Sequence, residues 1–253
     1  MAAGNVETNI TSPNAKAGAI FDGTNDEIDL GDLFETGFNK LSFSLWFKAN
    51  NTTRRYILSK ENVNNDDRFY LMLNLTAGKI TFRYEGSATG LKEIDYNYNN
   101  NEWINIIIVI NGTTNKIYIN GILRDSIAST APLLSGHSTN MTIGNRPGVG
   151  EFFSGIITNF QVYQNKELSI TEIENISNNL SATGLTNYYK LESDYTDSVG
   201  SNDGINVGSM LGISDEDISA AIAADRTTAN DIYLIADSGR GKQAISVIIE
   251  EAP

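Results

Sequence analysis

The chain has 253 residues, with 31 acidic against 18 basic side chains, a formal net charge of −13 and no cysteine. That length is ample for one large domain with an appendage, or for two small ones. The charge argues against a nucleic-acid groove, which needs Lys and Arg gathered on one face, and the missing cysteines exclude disulfides, thiolate metal sites and thiol nucleophiles. An acidic surface keeps a protein soluble through self-repulsion, and calcium binding is a sharper use of the same carboxylates. The opening Met1-Ala2-Ala3-Gly4-Asn5-Val6-Glu7 has neither a basic n-region nor an apolar h-region, so no secretory signal is expected. The longest apolar run, Ile104 to Ile110, is interrupted by Asn105 and is too short to span a bilayer.

Residues 1–16 read as an N-terminal arm. From about 17 to 164 the apolar side chains recur with period two, as half-buried antiparallel strands require. Ala19-Ile20-Phe21-Asp22-Gly23-Thr24-Asn25-Asp26 leads through Asp29-Leu30-Gly31 into Leu41-Ser42-Phe43-Ser44-Leu45-Trp46-Phe47. There Leu41, Phe43, Leu45 and Phe47 share one face while Ser42, Ser44 and Lys48 share the other. Phe69, Leu71, Leu73 and Leu75 repeat the pattern, and Ala77-Gly78 turns the chain into Ile80, Phe82 and Tyr84. Ile104, Ile106, Ile108 and Ile110 form the next inward row. Asn120-Gly121 is the strongest hairpin signal, because both residues tolerate positive φ. After the strand Phe153 to Tyr163, Ser169-Ile170-Thr171-Glu172 reads as a capping box, with Ile173 and Ile176 following at helical spacing.

Gly184-Leu185-Thr186-Asn187-Tyr188-Tyr189-Lys190-Leu191, then Asp197-Ser198-Val199-Gly200-Ser201-Asn202-Asp203-Gly204, reads as a further strand and loop. From Ser214 the character changes. Ser214-Asp215-Glu216-Asp217 caps an Ala-rich amphipathic stretch (Ile218, Ala221, Ile222), and two strand-like runs follow, Asp231 to Ile235 and Ala244 to Ile249. So short a segment cannot bury a core alone. It reads as a docked hairpin or as an oligomerisation or anchoring element.

Two of these stretches carry a resemblance: Ala19 to Asp26 with its continuation through Leu41 to Phe47, and Phe153 to Tyr163 followed by Leu168-Ser169-Ile170-Thr171-Glu172-Ile173. Together they resemble the opening and closing signatures of laminin-G-like, concanavalin A-type modules. The resemblance spans about residues 17–208 and implies an all-β fold: an antiparallel β-sandwich (jelly roll) with one short closing helix. Residues 209–253 would then form a small C-terminal α+β appendage. In that family the stretch like 184–204 normally precedes Phe-Asp-Gly, whereas here it follows the helix. It either begins a truncated second module or supplies a permuted or swapped edge strand. Because an unpaired sandwich edge is a liability, residues 185–208 are expected to pair into the sandwich.

Calcium is the cofactor the resemblance implies, held by loop oxygens at the sheet edge. The family's closing strand usually reads Gly-x-Ile-Asp-Asp, and here Thr158 and Asn159 replace the two acids. Asp22 and Asn159 are therefore the candidate metal ligands, with Asp194, Asp197 and Asp203 as further contributors, and Asn ligands weaken the site. A jelly-roll glycoside hydrolase would need Glu-x-Asp-x-x-Glu to set two carboxylates about 5 Å apart. Glu27-Ile28-Asp29-Leu30-Gly31-Asp32 comes close, but with the shorter Asp32 at the acid position, and Glu93-Ile94-Asp95 lacks the third carboxylate. His137, the single histidine, lies in a Ser/Gly loop without a nucleophile elbow, and Ser238-Gly239-Arg240-Gly241-Lys242 opens no helix. No catalytic residue is assigned. Sugar binding would use aromatics such as Trp46, Tyr70, Tyr84 and Tyr118, each of which fits the core equally well.

Asn-rich, cysteine-free laminin-G-like modules occur in bacteriophage structural proteins such as head fibres, capsid decorations and tail fibres. The reading that follows is a non-enzymatic virion surface protein, assembled in the host cytoplasm through its arm and tail. Its partners would be other virion proteins, further copies of itself and cell-surface glycans, with neither nucleic acid nor membrane among them. The alternatives are a carbohydrate-binding module or adhesin domain of a secreted, extracellular bacterial protein and, third, a glycosidase.

Overall fold

The computed structural model describes residues 17–33, 40–50, 54–61, 68–73, 79–84, 91–96, 101–128, 139–213, 232–237 and 242–247. Strands are numbered in chain order. One sheet comprises β1 (Ala17–Asp22), β3 (Leu41–Ala49), β8 (Trp103–Ile110), β9 (Thr114–Ile119), β10 (Ile122–Ala128), β12 (Ser154–Gln164), β13 (Asn187–Tyr189) and β15 (Met210–Ile213). Its order is β10-β9-β8-β3-β12-β1-β15, with β13 also on β12. The other comprises β2 (Glu27–Asp29), β4 (Arg55–Glu61), β5 (Arg68–Leu73), β6 (Lys79–Tyr84), β7 (Leu91–Asp95), β11 (Met141–Ile143) and β14 (Ile205–Val207), in the order β14-β2-β11-β4-β5-β6-β7. A separate hairpin joins β16 (Ile232–Asp237) to β17 (Lys242–Val247). The fold is thus the antiparallel sandwich that the alternating pattern implies.

Period-two burial fills the space between the sheets. Leu41, Phe43, Leu45 and Phe47 of β3 and Ile104, Ile106, Ile108 and Ile110 of β8 pack into one core with Phe69, Leu71, Leu73, Ile80 and Phe82 of the facing sheet. Phe43 sits at its centre, with ring centroids 5.4 Å from Phe69, 6.2 Å from Phe82 and 6.3 Å from Phe160. Full burial of each such side chain contributes roughly 1.5–3 kcal/mol. The outer face of the eight-stranded sheet is covered too. Helix α1 (Ile170–Ser177) lays Ile173 and Ile176, with Leu168, on Ile107, Val109, Tyr118 and Tyr163. That explains why β8 reads as a nearly unbroken apolar run: both of its faces are buried. The helix starts at a full capping box, Ser169 with Glu172.

One edge of β12 is shared by two short strands. β1 pairs with residues 154–157 and β13 with residues 160–162. Between them the register slips at a bulge where Asn159 takes φ 53°. The Lys190 carbonyl closes the gap, accepting from Thr158 Oγ1 at 2.8 Å and from the Asn159 N–H at 3.1 Å. Further on, β14 pairs with β2. Residues 187–207 therefore sit on the edges of this chain's own sandwich. The pairing continues past 208: β15 adds to β1, with Ala17 opposite Ile213, so the last sandwich strand lies beyond the sequence-derived boundary. Met210-Leu211-Gly212-Ile213 is too short and too Gly-interrupted to read as a strand. The Ala-rich stretch from 218 to 222 lies outside the described residues.

Candidate functional site

Among the described residues the single helix covers the eight-stranded sheet, and no helix covers the outer face of the seven-stranded one. Residues directly opposite in an antiparallel pair share a face. The register Asp29–Thr142–Ser59–Tyr70–Arg83 therefore runs as one row across β2, β11, β4, β5 and β6 on that outer face. A second row holds Tyr56, Met72 and Thr81. Tyr56 reaches it because β4 bulges between Tyr56 and Leu58, so that Ile57 and Leu58 both turn into the core.

Tyr56 and Tyr70 meet edge to face at 5.3 Å, and three arginines surround them. Arg54 and Arg146 lie 5.9 and 5.5 Å from the Tyr56 ring centroid, and Arg83 lies 6.0 Å from that of Tyr70. Arg54 Nη2 and Arg146 Nη1 both donate to the Tyr56 phenol oxygen, at 3.1 and 3.0 Å. That bond is the largest influence on Arg54 and raises its pKa further; burial opposes it, and the Glu151 carboxylate, 2.9 Å from Nε, reinforces it. Lys79, two residues before Thr81 on β6, lies on the same face, and the side formed by β2, β11 and β4 is neutral and acidic. Ser59 and Thr142 hydroxyls donate to the Asn145 carbonyl at 2.8 and 3.0 Å, and Asn145 Nδ2 donates to Glu27 at 2.7 Å. Asn145 Oδ1 is buried with no hydrogen-bond partner among the described residues. Rotating the amide would turn that oxygen onto the Glu27 carboxylate, so the orientation is set by charge.

The candidate calcium ligands do not converge. Asp22 ends β1 opposite Ser154, and its Oδ1 accepts from the Thr24 N–H at 2.7 Å. Asn159 lies five residues further along β12, roughly 15 Å at the rise of a strand, with Oδ1 accepting from the Tyr188 hydroxyl at 2.9 Å. Beside Asp22, burial raises the Asp26 carboxyl above its ordinary range; the Asp22 N–H opposes this and the Asp22 charge adds to it. Asp194 accepts from the Thr196 N–H and hydroxyl, and Asp203 accepts from the Asp197 N–H. Asp197 is itself filled by N–H donors from Tyr188, Val199, Gly200, Asn202 and Asn187. Among the described residues no group of three or more Asp, Glu or His is placed to hold a metal. These residues do not fit one shared ion.

The Glu27–Asp29–Asp32 motif does not assemble a glycosidase pair either. Glu27 and Asp29 share the outer face, whereas the Asp32 carboxylate is taken by the buried Lys60 ammonium. The side chains of Glu93 and Asp95, like His137 and residues 238–241, lie outside what is described.

A family model described as the concanavalin A-like lectin/glucanases superfamily matches residues 22–174. The chain belongs to this superfamily. No curated protein sequence matches it significantly. Among solved structures this concanavalin A-like domain is similar to a candidate carbohydrate-binding protein from Bacteroides ovatus, with TM-score 0.64, 15% identity, and 79% of this chain and 60% of that one covered. The chain therefore spans 60% of that protein's length. It is also similar to the heptameric SAP-like pentraxin of Limulus polyphemus (TM-score 0.58, 16% identity, 82% and 98% covered). A third is the Ruminococcus gnavus IT-sialidase CBM40 bound to α2,3-sialyllactose (0.52, 16%, 65% and 100%). At such identities the likeness is one of fold.

Within this concanavalin A-like sandwich the aromatics singled out for sugar stacking are packed away. Trp46, Tyr70 and Tyr118 are 2%, 4% and 3% exposed, and the side chain of Tyr84 is not described. The half-buried cations Arg54, Arg83 and Arg146 cover the outer face instead. Sequence reasoning missed all three, because their convergence depends on cross-strand register and on the bulge at Ile57.

Proposed function

We propose that this chain is a non-enzymatic carbohydrate-binding domain whose ligand lies on the outer face of the seven-stranded sheet. One observation carries the reading: on that face arginines, hydroxyls and amides converge, with a buried acceptor, Asn145 Oδ1, that has no donor among the described residues. An unpaired buried acceptor costs about 1–3 kcal/mol, which a sugar hydroxyl would offset. Fold likeness to the Bacteroides and Ruminococcus structures supports the same ligand class. Binding is proposed to be independent of calcium, since the candidate ligands are apart.

Two settings fit such a domain. In the first it is displayed on a virion surface and held there by residues 1–16 and the C-terminal segment, where many copies would raise weak single-site affinity. The Asn-rich, cysteine-free composition supports that setting. In the second it is a module of a secreted bacterial protein, as the bacterial neighbours favour. Self-association lost on truncation after residue 213 would support the first, and a monomeric full chain would support the second. The ligand test is a glycan array probed with the full chain, with calcium and with a chelator, beside an Asn145→Ala variant of checked thermal stability. Chelator-resistant binding that falls about tenfold in the variant supports the reading; binding unchanged by the variant would move the site off this face.

A further inference from the structure

The outer face of the seven-stranded sheet ends on an edge whose donors and acceptors are unevenly matched. β14 pairs with β2 so that Ile205 stands opposite Asp29 and Val207 opposite Glu27. Opposed residues share a face about 5 Å apart. Two apolar side chains, 67% and 46% exposed, therefore flank two carboxylates there. The donors around them are turned onto protein acceptors. The Ser59 and Thr142 hydroxyls reach the Asn145 carbonyl, Asn140 Nδ2 reaches Asp29 Oδ2 at 2.9 Å, and Asn145 Nδ2 reaches Glu27 Oε2 at 2.7 Å. Arg146, next in the chain, donates to the Tyr56 phenol. What is left over is acceptor capacity. Asn145 is 4% exposed, and its Oδ1 has no hydrogen-bond partner among the described residues. That oxygen shares an amide carbon with the nitrogen bound to Glu27, whose Oε1 also takes no hydrogen bond among the described residues. A ligand that satisfies both must bring donors, and an ammonium brings three with no acceptor of its own. Its charge is favoured by the Glu27 carboxylate and by a molecule of formal charge −13. A carboxylated sugar meets the opposite of each condition.

We infer that this edge selects glycans bearing a protonated primary amine, as in de-N-acetylated amino sugars, with the ammonium held at Glu27 beside Asn145 Oδ1 and the C–H face of the sugar on Ile205 and Val207. This rests on the carbohydrate-binding reading above and names its ligand class. Acetylation removes the charge and two of the three donors, so the N-acetyl sugar is the poorer ligand.

The test is calorimetric titration of the full chain, at about pH 6 where the amines are protonated, with the glucosamine trisaccharide, its fully N-acetylated form, trigalacturonic acid and trilysine. Glu27→Gln removes the charge and keeps an acceptor. Val207→Lys sets a competing ammonium directly opposite Glu27, on an exposed edge strand where lysine is well tolerated. Glu174→Gln, at an exposed position on the helix over the other sheet, makes the same change in net charge as Glu27→Gln away from this edge. The amino trisaccharide is expected to bind about tenfold more tightly than its acetylated form, a margin that shrinks with added salt. Glu27→Gln and Val207→Lys should each bring that margin close to unity with melting temperatures unmoved, and Glu174→Gln should leave it intact. Equal binding of the amino and acetylated sugars, or a margin that survives both edge variants, overturns the selectivity while the carbohydrate-binding reading stands. An equal loss in Glu174→Gln, or tighter binding of trigalacturonic acid, does the same. Trilysine matching the amino sugar overturns the glycan assignment of this edge in favour of a basic peptide. Failure to bind any glycan, amino, acetylated or acidic, overturns the carbohydrate-binding reading and this inference with it.

Discussion

Replacing Asp197 by Asn removes one charge and one acceptor while changing the size of the side chain hardly at all. The carboxylate is 7% exposed and organises the turn that follows β13. Its Oδ1 accepts from the N–H groups of Tyr188 (2.9 Å), Gly200 (2.9 Å) and Val199 (3.2 Å). Its Oδ2 accepts from Asn187 Nδ2 (2.7 Å) and the Asn202 N–H (3.4 Å). An amide nitrogen in the Oδ2 position breaks the last two bonds and sets donor against donor; the opposite orientation breaks three. Hydrogen bonds to a charged group contribute about 1.5–3 kcal/mol each, so the expected loss is roughly 3–4 kcal/mol after relaxation. For a domain of this size that lowers Tm by roughly 6–15 °C, readable in the fluorescence of the buried Trp46. The pH dependence supplies a second check. Burial pushes the Asp197 pKa up, but N–H donation from Tyr188, Gly200, Asn187 and Val199 outweighs it, and the net shift is downward. A carboxyl lowered on folding stabilises above its unfolded pKa of about 3.9, and that contribution is lost as pH falls through the folded value. The gap between parent and Asp197→Asn should therefore narrow below about pH 4. A Tm within about 2 °C of the parent at neutral pH, or an equally wide gap in acid, would refute the reasoning.

Two further substitutions test the packing. Gly155 has φ 140°, and an added Cβ would lie 2.1 Å from the Lys48 carbonyl oxygen of the neighbouring strand. Gly155→Ala is expected to cost more than about 3 kcal/mol, whereas Gly31→Ala, with φ 68° but nothing within 4 Å, should cost only about 1 kcal/mol; comparable melting curves for the two would contradict this. Asp32→Ala leaves the Lys60 ammonium buried without its carboxylate, at a cost of roughly 2–4 kcal/mol. Adding Lys60→Met should recover part of the loss, and a double-mutant cycle showing strict additivity would exclude the coupling.

Much of the scaffold is legible in the residues. The Ile104–Ile110 run is β8, Asn120 and Gly121 take φ 52° and 73° as their hairpin requires, and Ser169 with Glu172 closes the capping box. Each of those signals is local, set by period, turn stereochemistry or capping. The candidate face is not local. Arg54, Arg83 and Arg146 are separated by tens of residues, and only cross-strand register with the bulge at Ile57 brings them over Tyr56 and Tyr70. The spacing of Asp22 and Asn159, the candidate metal ligands, was illegible for the converse reason. Both stand at characteristic points of recognisable motifs, yet β12 holds them apart along its length. Trp46 and Tyr118, which fitted a sugar site and the core equally well in the sequence, lie on the helix-bearing sheet, where both are packed.

The register that sets Ala17 opposite Ile213 also determines how the domain can be mounted. Opposed residues of neighbouring strands lie about 5 Å apart, so Ala17 and Ile213 stand together at one corner of the sandwich. Force applied across these two residues would peel β15 from β1 before reaching the core. With Ala17 and Ile213 so close, a sandwich of residues 17–213 joined there and reopened at Asn120-Gly121 should fold to the same structure.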